Sequence, residues 1–379
     1  MVIDREVPIT TETDLTNAYD RWNIIFGPWV FAPTYDNPWF TRSTRVGLRA
    51  GAYRTQQFEG GVYAAYRTDY RDVVTGVDAV IDHWPWNHTE VGFVAERRLA
   101  GTLRGEDQAN RGVVYGRYVI DYGDSLYLPP FQYVEAFTSY TQNFLPNARQ
   151  SAPGAERFSQ LNGGGVHYHL NYLTPYWDAE GGYQLDAVYY GGEADLAKQY
   201  GLHEFWAQGS TVKYLPDLSP YVGGVPVLGQ ALAPPLRWLS DTRLAVRAYG
   251  ALGLPTRGEF FTMGGGSLLR GFDQAQRQGS TVWVGSAEWR VPIIRDVRWD
   301  TCDHIIGVRH AYGALFYDVG NAYVRNHEVG PIAHSVGAGL RLDVAWFSFL
   351  ERTIIRFDVA KTVNANTGLQ MWFGVTHPF

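Results

Sequence analysis

Period-two alternation, sustained over many long segments, constrains this chain more than any other feature. In 334–346, Val336, Ala338, Leu340, Leu342 and Val344 share one face, and Ser335, Gly337, Gly339, Arg341 and Asp343 share the other. In 353–362, Ile355, Phe357 and Val359 oppose Arg356 and Asp358. In 41–54, Val46, Leu48, Ala50 and Ala52 oppose Arg45, Gly47 and Arg49. No long amphipathic helix competes with this pattern. Strands are read at 20–32, 41–54, 59–70, 72–84, 89–100, 111–122, 131–143, 164–178, 181–194, 203–216, 241–252, 281–294, 307–323, 334–346, 353–362 and 369–379. Their number is even, and most reach the roughly 9–11 residues of a tilted membrane-crossing strand.

A water-soluble sandwich would also alternate. The polar face decides between the two. It is built of Gly, Ser, Arg and Asp on successive strands, and the apolar face has no second sheet's worth of complementary strands. That fits a polar lumen and a lipid-facing exterior. The chain is therefore read as all-β: a sixteen-stranded antiparallel transmembrane β-barrel over 20–379, preceded by an N-terminal extension at 1–19. Composition agrees. The 13 Trp, 25 Tyr and 42 Gly favour strands and turns, and no run approaches the roughly 18 apolar residues of a membrane helix. A net charge of −6 argues against nucleic acid as a partner. A single cysteine, Cys302, allows neither an internal disulfide nor a thiolate metal cluster. Met1-Val2-Ile3-Asp4-Arg5 lacks an export-signal pattern. An exported chain would then be a mature form or part of a longer protein.

The connections have two sides. After odd strands fall the longer ones: 143–164, the acidic and helix-compatible 191–203, and 253–280. After even strands come short ones, such as Arg54 to Glu59, Pro85 to His88 and Asp178 to Gly181. That asymmetry is typical of bacterial outer-membrane barrels. Two connections break it. Tyr70 to Asp72 is tight on the long side. Residues 217–240, with Pro220, Pro226, Pro234 and Pro235, are long on the short side.

The loop at 253–280 carries Gly264-Gly265-Gly266-Ser267-Leu268-Leu269-Arg270-Gly271-Phe272. Loops this long inside a compact domain are uncommon unless they have a task. No Gly-Lys-Ser/Thr ending and no helix pattern follow, which excludes a phosphate loop. Leu254-Pro255, Glu259-Phe260-Phe261, Gly264-Gly265 and Leu269-Arg270-Gly271-Phe272 resemble the sixth-loop motif of the BamA/TamA and two-partner-secretion superfamily of outer-membrane insertases and translocators, the bacterial surface antigen type. Gly285-Ser286-Ala287-Glu288-Trp289-Arg290-Val291-Pro292 is similar to the strand after that loop. Ala314-Leu315-Phe316-Tyr317-Asp318-Val319-Gly320 resembles the family's Phe-x-Asp-x-Gly strand. Ser335 to Arg341, with Gly337 and Gly339, and Ile355 to Ala360, with Arg356 and Asp358, are similar to its last strands. The likeness covers about 241–379; over 20–240 only strand number and spacing agree.

The resemblance implies that the loop folds back into the lumen, with Arg270 paired to Asp318 and with Glu288 as second candidate. Strand parity agrees that both carboxylates face inward. Phe373, Val375 and the terminal Phe379 resemble the C-terminal signal read by the barrel assembly machinery. The family's periplasmic POTRA modules do not fit in 1–19, and no Gly-x-Ser-x-Gly elbow of a lipase-bearing relative is present. The resemblance implies a barrel that inserts or translocates proteins, without enzyme activity or cofactor. The alternative is a non-transporting scaffold that anchors a partner; a diffusion pore comes third. Outer-membrane lipids and lipopolysaccharide, the barrel assembly machinery and periplasmic or membrane subunits are the expected partners.

His83 and His88, around Trp84-Pro85-Trp86-Asn87, read as an aromatic turn at a membrane interface. Asp300, Cys302, Asp303 and His304 read as a polar turn and not a metal site. His167 and His169 share a strand face and read as lumen polar residues. Glu193-Ala194-Asp195 reads as a solvated loop face.

Overall fold

A computed structural model describes residues 22–31, 45–54, 58–67, 72–99, 108–123, 131–144, 160–173, 181–196, 198–222, 228–254, 261–266, 268–273, 276–294, 299–301, 306–325, 329–346, 350–364 and 368–375. The first ten strands are β1 (Trp22–Phe31), β2 (Arg45–Arg54), β3 (Phe58–Arg67), β4 (Asp72–Asp82), β5 (Thr89–Arg98), β6 (Gln108–Asp121), β7 (Gln132–Phe144), β8 (Gln160–Asn171), β9 (Gly182–Leu196) and β10 (Lys198–Tyr214). Helices α1 (Ser219–Val222) and α2 (Leu228–Ser240) follow. After them come β11 (Arg243–Leu254), β12 (Phe261–Met263), β13 (Arg277–Gly279), β14 (Thr281–Ile294), β15 (Trp299–Thr301), β16 (Ile306–Tyr323), β17 (Ala333–Trp346), β18 (Leu350–Thr362) and β19 (Gln370–Val375).

Long strands pair antiparallel with their neighbours in sequence, from β1 with β2 through to β18 with β19. Among the described residues the sheet holds seventeen strands, not sixteen. Every range read from the sequence overlaps a long strand, and the three-residue β15 is the addition. Its cause is local. The β14–β16 register shifts between Pro292 and Ile294, where proline cannot donate to the ladder, and β15 pairs with β16 beyond the break. Closure also differs from expectation: among the described residues no register joins β1 to β19.

Alternation sets what faces where. On β11, Arg243, Ala245 and Arg247 are buried while Leu244 and Val246 are exposed. On β16, Ala314, Phe316 and Asp318 are buried while Leu315 and Tyr317 are exposed. The apolar face is thus the outer one. Leu48, Val114, Leu315 and Phe373 are each more than half exposed. Val344 leaves its sequence-assigned face and is buried, beside a register shift between Val344 and Trp346. The inner face is charged and cross-linked. Arg49 on β2 donates to Glu59 at 2.9 Å and Asp78 at 2.8 Å, tying β2, β3 and β4. Arg117 on β6 donates to Glu90 at 3.0 Å and Glu135 at 2.9 Å, tying β5, β6 and β7.

Three connections differ from the sequence reading. Residues 191–203 are no loop: β9 and β10 continue as a hairpin to Leu196 and Lys198. Glu193, Ala194 and Asp195 therefore sit in a strand. The stretch 217–240 carries the two helices α1 and α2, with Pro234 and Pro235 inside α2. Asp217 accepts the Ser219 N–H at 2.8 Å at the start of α1, and its hydrogen bonds with Ser219 hold its carboxyl below the usual range. The loop between β11 and β14 is closed at its neck by the β12–β13 pair.

Close approach between strands rests on small residues. A Cβ at Gly337 would run into the Phe316 ring and the Val359 carbonyl oxygen. Gly337→Ala is expected to lower stability by roughly 1–3 kcal/mol through overpacking. Gly112→Ala, where nothing lies within 4 Å of the new Cβ, is expected to be near neutral. Urea unfolding in lipid vesicles, followed by tryptophan fluorescence, compares the two.

Candidate functional site

The loop behind the β12–β13 neck folds onto the inner face of β14 to β19. Its turn is fixed by backbone bonds: Gly265 N–H donates to the Phe272 carbonyl at 3.1 Å, and Phe272 N–H to the Leu269 carbonyl at 3.2 Å. Gly264 holds φ +122°, a conformation that disfavours side chains. Leu269 and Phe272 are fully buried and pack with Met263, Ala251, Val282 and Val284. This apolar plug leaves Arg270, between them, aimed at the wall.

Arg270 is 1% exposed, and every nitrogen of its guanidinium has a carboxylate partner. Nε donates to Asp318 Oδ2 at 2.9 Å and Nη2 to Asp318 Oδ1 at 2.8 Å, a bidentate pair. Nη1 donates to Glu288 Oε2 at 2.7 Å, and Nη2 also to Ser286 Oγ at 3.2 Å. The Arg270 backbone N–H adds a bond to Asp318 Oδ2 at 3.1 Å. The Ser286 hydroxyl donates to Asp318 in turn. Beneath the guanidinium lies the Phe316 ring, 3.4 Å from Cζ to centroid. A cation over an aromatic face contributes roughly 0.5–2 kcal/mol.

The wall carboxylates are shared. Glu288 also accepts from Arg290 Nε at 2.9 Å and from Arg341 Nη2 at 2.9 Å. Arg341 Nη1 donates to Asp358 Oδ1 at 2.6 Å, and Asp358 Oδ2 stands 3.6 Å from Arg270. Arg356, 3.7 Å from Asp358, donates to the Gly266 carbonyl at 3.1 Å. Four guanidiniums thus meet three carboxylates in one buried web across β14, β16, β17 and β18. Burying any one of these charges alone would be costly; together, with directional bonds, they offset one another.

Both expected carboxylates meet Arg270, so Asp318 and Glu288 act together and not as alternatives. The expected glycines make room. Gly271 sits where a Cβ would meet Ser335 and the backbone at Lys361 and Thr362. Gly320 accommodates Met263, Gly337 the Phe316 ring, and Gly339 the Asp358 carboxylate. Arg356 and Asp358 are both in the web. The C-terminal residues stand apart from it. Phe373 points outward, Val375 pairs with Ile355, and Phe379 and the Val375 side chain lie outside the described residues.

Three partners were not legible in the sequence. Arg290 and Arg341 share the inward parity of Glu288 and Gly339, but parity does not say which inward groups touch. Trp372 on β19 is the third. It is buried, its Nε1–H donates to the Arg270 carbonyl at 2.6 Å, and its ring lies against Gly266. Its inward facing was readable from its alternation with Met371 and Phe373. At the histidine turn, His83 and His88 adopt positive φ in an exposed turn, with rings 5.5 and 5.6 Å from Tyr122. Cys302, Asp303 and His304 lie outside the described residues.

No protein-family model matches the chain, and no curated protein matches it by sequence. Among solved structures it is similar to BamA from Haemophilus ducreyi lacking POTRA domains 1-3, with a TM-score of 0.57 and 12% identity. The match covers 94% of this chain and 69% of that one. The fold is that of a BamA-like barrel.

Arg270→Ala leaves Asp318 and Glu288 buried beside a vacated position and is expected to cost about 3–5 kcal/mol. Arg270→Lys restores the charge without the fork and should recover only part of it. Arg325→Ala, at an exposed arginine, should stay within about 0.5 kcal/mol. Denaturant midpoints in vesicles rank the three.

Proposed function

We propose that this chain is an outer-membrane barrel of the insertase and translocator type, working through a seam between its first and last strands. One observation carries the reading: the lumen loop clasps the last strand from inside. Trp372 of β19 holds the Arg270 carbonyl and covers Gly266. Thus the loop that pins β14, β16 and β18 also fixes the strand bordering the seam. Among the described residues β19 pairs with β18 over six rows, and β1 and β19 share no register. Unpaired edge groups cannot be satisfied by lipid, so an edge of this kind is a template for an incoming strand.

A membrane setting follows from the inverted polarity. The exposed apolar side chains would face lipid and lipopolysaccharide, and the charged web would face the lumen. The BamA-like fold supports the same placement and points to barrel assembly machinery and periplasmic or membrane subunits as partners. Protein insertion or transport is the activity, with no enzymatic step. A scaffold barrel is the second reading. The dense bonding of Arg270 favours it, because a loop so fixed could simply seal the lumen.

Cross-linking separates the two readings. In a Cys302→Ser background, one cysteine is placed in β1 and one in β19. Oxidation is expected to slow insertion of an unfolded outer-membrane protein into proteoliposomes at least tenfold, with reductant restoring it. Equal rates in the oxidised and reduced states would favour the scaffold.

A further inference from the structure

Outside the loop web, His167 and His169 on β8 point into the lumen beside Asp186 on β9, and all three are buried. Their ligand-type atoms lie within 4.8 Å of one another. His167 Nε2 is 3.1 Å, and His169 Nδ1 2.6 Å, from the same oxygen, Asp186 Oδ1. On the other side of His167, its Nδ1 stands 4.0 Å from Glu135 Oε1 on β7. Neither of those two atoms has a hydrogen-bond partner among the described residues. Tyr133 stacks on His169 at 4.7 Å and fixes its ring.

The two carboxylates flank His167 on opposite sides. A neutral imidazole carries one N–H. Directed at Glu135, that N–H leaves the Nε2 lone pair facing the Asp186 oxygen. A cation between them removes the repulsion. We infer that His167, His169 and Asp186 form a binding site for a divalent transition metal of the zinc class, with Glu135 positioning His167.

Two imidazoles and a carboxylate match the ligand preference of zinc, whose tetrahedral shell spaces its ligand atoms roughly 3.3 Å apart. The two spacings to the Asp186 oxygen, 3.1 and 2.6 Å, would open to reach it. A histidine ligand commonly gives its other N–H to a carboxylate, and the 4.0 Å from His167 Nδ1 to Glu135 would shorten to make that bond. Nearby Arg117 does not oppose the metal unshielded, because it is bonded to Glu90 and Glu135. Three protein ligands leave a fourth position for water from the lumen. Such a site would clamp β8 to β9, and it stands independently of the transport reading.

The test uses the full chain, refolded in detergent and stripped with a chelator, then titrated with Zn²⁺ by calorimetry. One Zn²⁺ per chain is expected. His167→Ala and His169→Ala should each weaken binding about a hundredfold or more, and Glu135→Gln about tenfold, with heat-modifiability on gels confirming that each variant folds. Co²⁺ added to the unmutated protein should give the visible absorption of a tetrahedral site, and zinc X-ray absorption should show two imidazoles. Those two readouts decide the question if a variant fails to fold. The inference is overturned if the folded protein binds no Zn²⁺, if the absorption shows no histidine shell, or if the folded His167→Ala variant binds with unchanged affinity.

Discussion

One buried guanidinium organises this end of the molecule. Arg270 lies on a loop, the part of a chain that most easily moves, yet it is 1% exposed. An unpaired charge there would be prohibitive. The wall therefore has to bring carboxylates to it, and it does so from β14, β16 and β18 at once. Satisfying Arg270 forces those strands into one register, since Ser286 stands directly across from Asp318. The pin and the wall specify each other. Wall arginines complete the clasp by donating to loop carbonyls at Gly266 and Leu268.

The rest of the sheet follows a second constraint, the inversion of ordinary polarity. Charge is inside and apolar surface outside, so interior charges must be cross-linked strand to strand. Arg49, Arg117 and Arg270 each bond carboxylates on two other strands. These inward bridges repeat around the sheet and hold side chains where a water-soluble protein would have an apolar core. The last strand is tied to this scheme by the loop, through Trp372.

Much of this was legible because period two is a strong code. Parity placed Asp318 and Glu288 inward, and each range read from alternation overlaps a strand of the sheet. Parity gives facing and not contact. It could not show that Glu288 serves Arg270, Arg290 and Arg341 together, because that depends on cross-strand register. Nor could it show the Trp372 bond, which spans 102 residues of sequence. Prolines misled at 217–240, where Pro234 and Pro235 lie inside α2 although proline ordinarily breaks a helix. Acidic residues misled at 191–203, where strand pairing overrides local propensity. His167 and His169 were seen to share a face, but Asp186 and Glu135 come from neighbouring strands and were invisible as a set.

Arg270 and Asp318 are, on this account, energetically one unit and not two separate buried groups. A double-mutant cycle of Arg270→Ala and Asp318→Ala, read by denaturant unfolding in lipid vesicles, measures this directly. A coupling energy of about 2 kcal/mol or more is expected, with the double variant far less destabilised than the sum of the singles. Additivity within about 0.5 kcal/mol would contradict the pin.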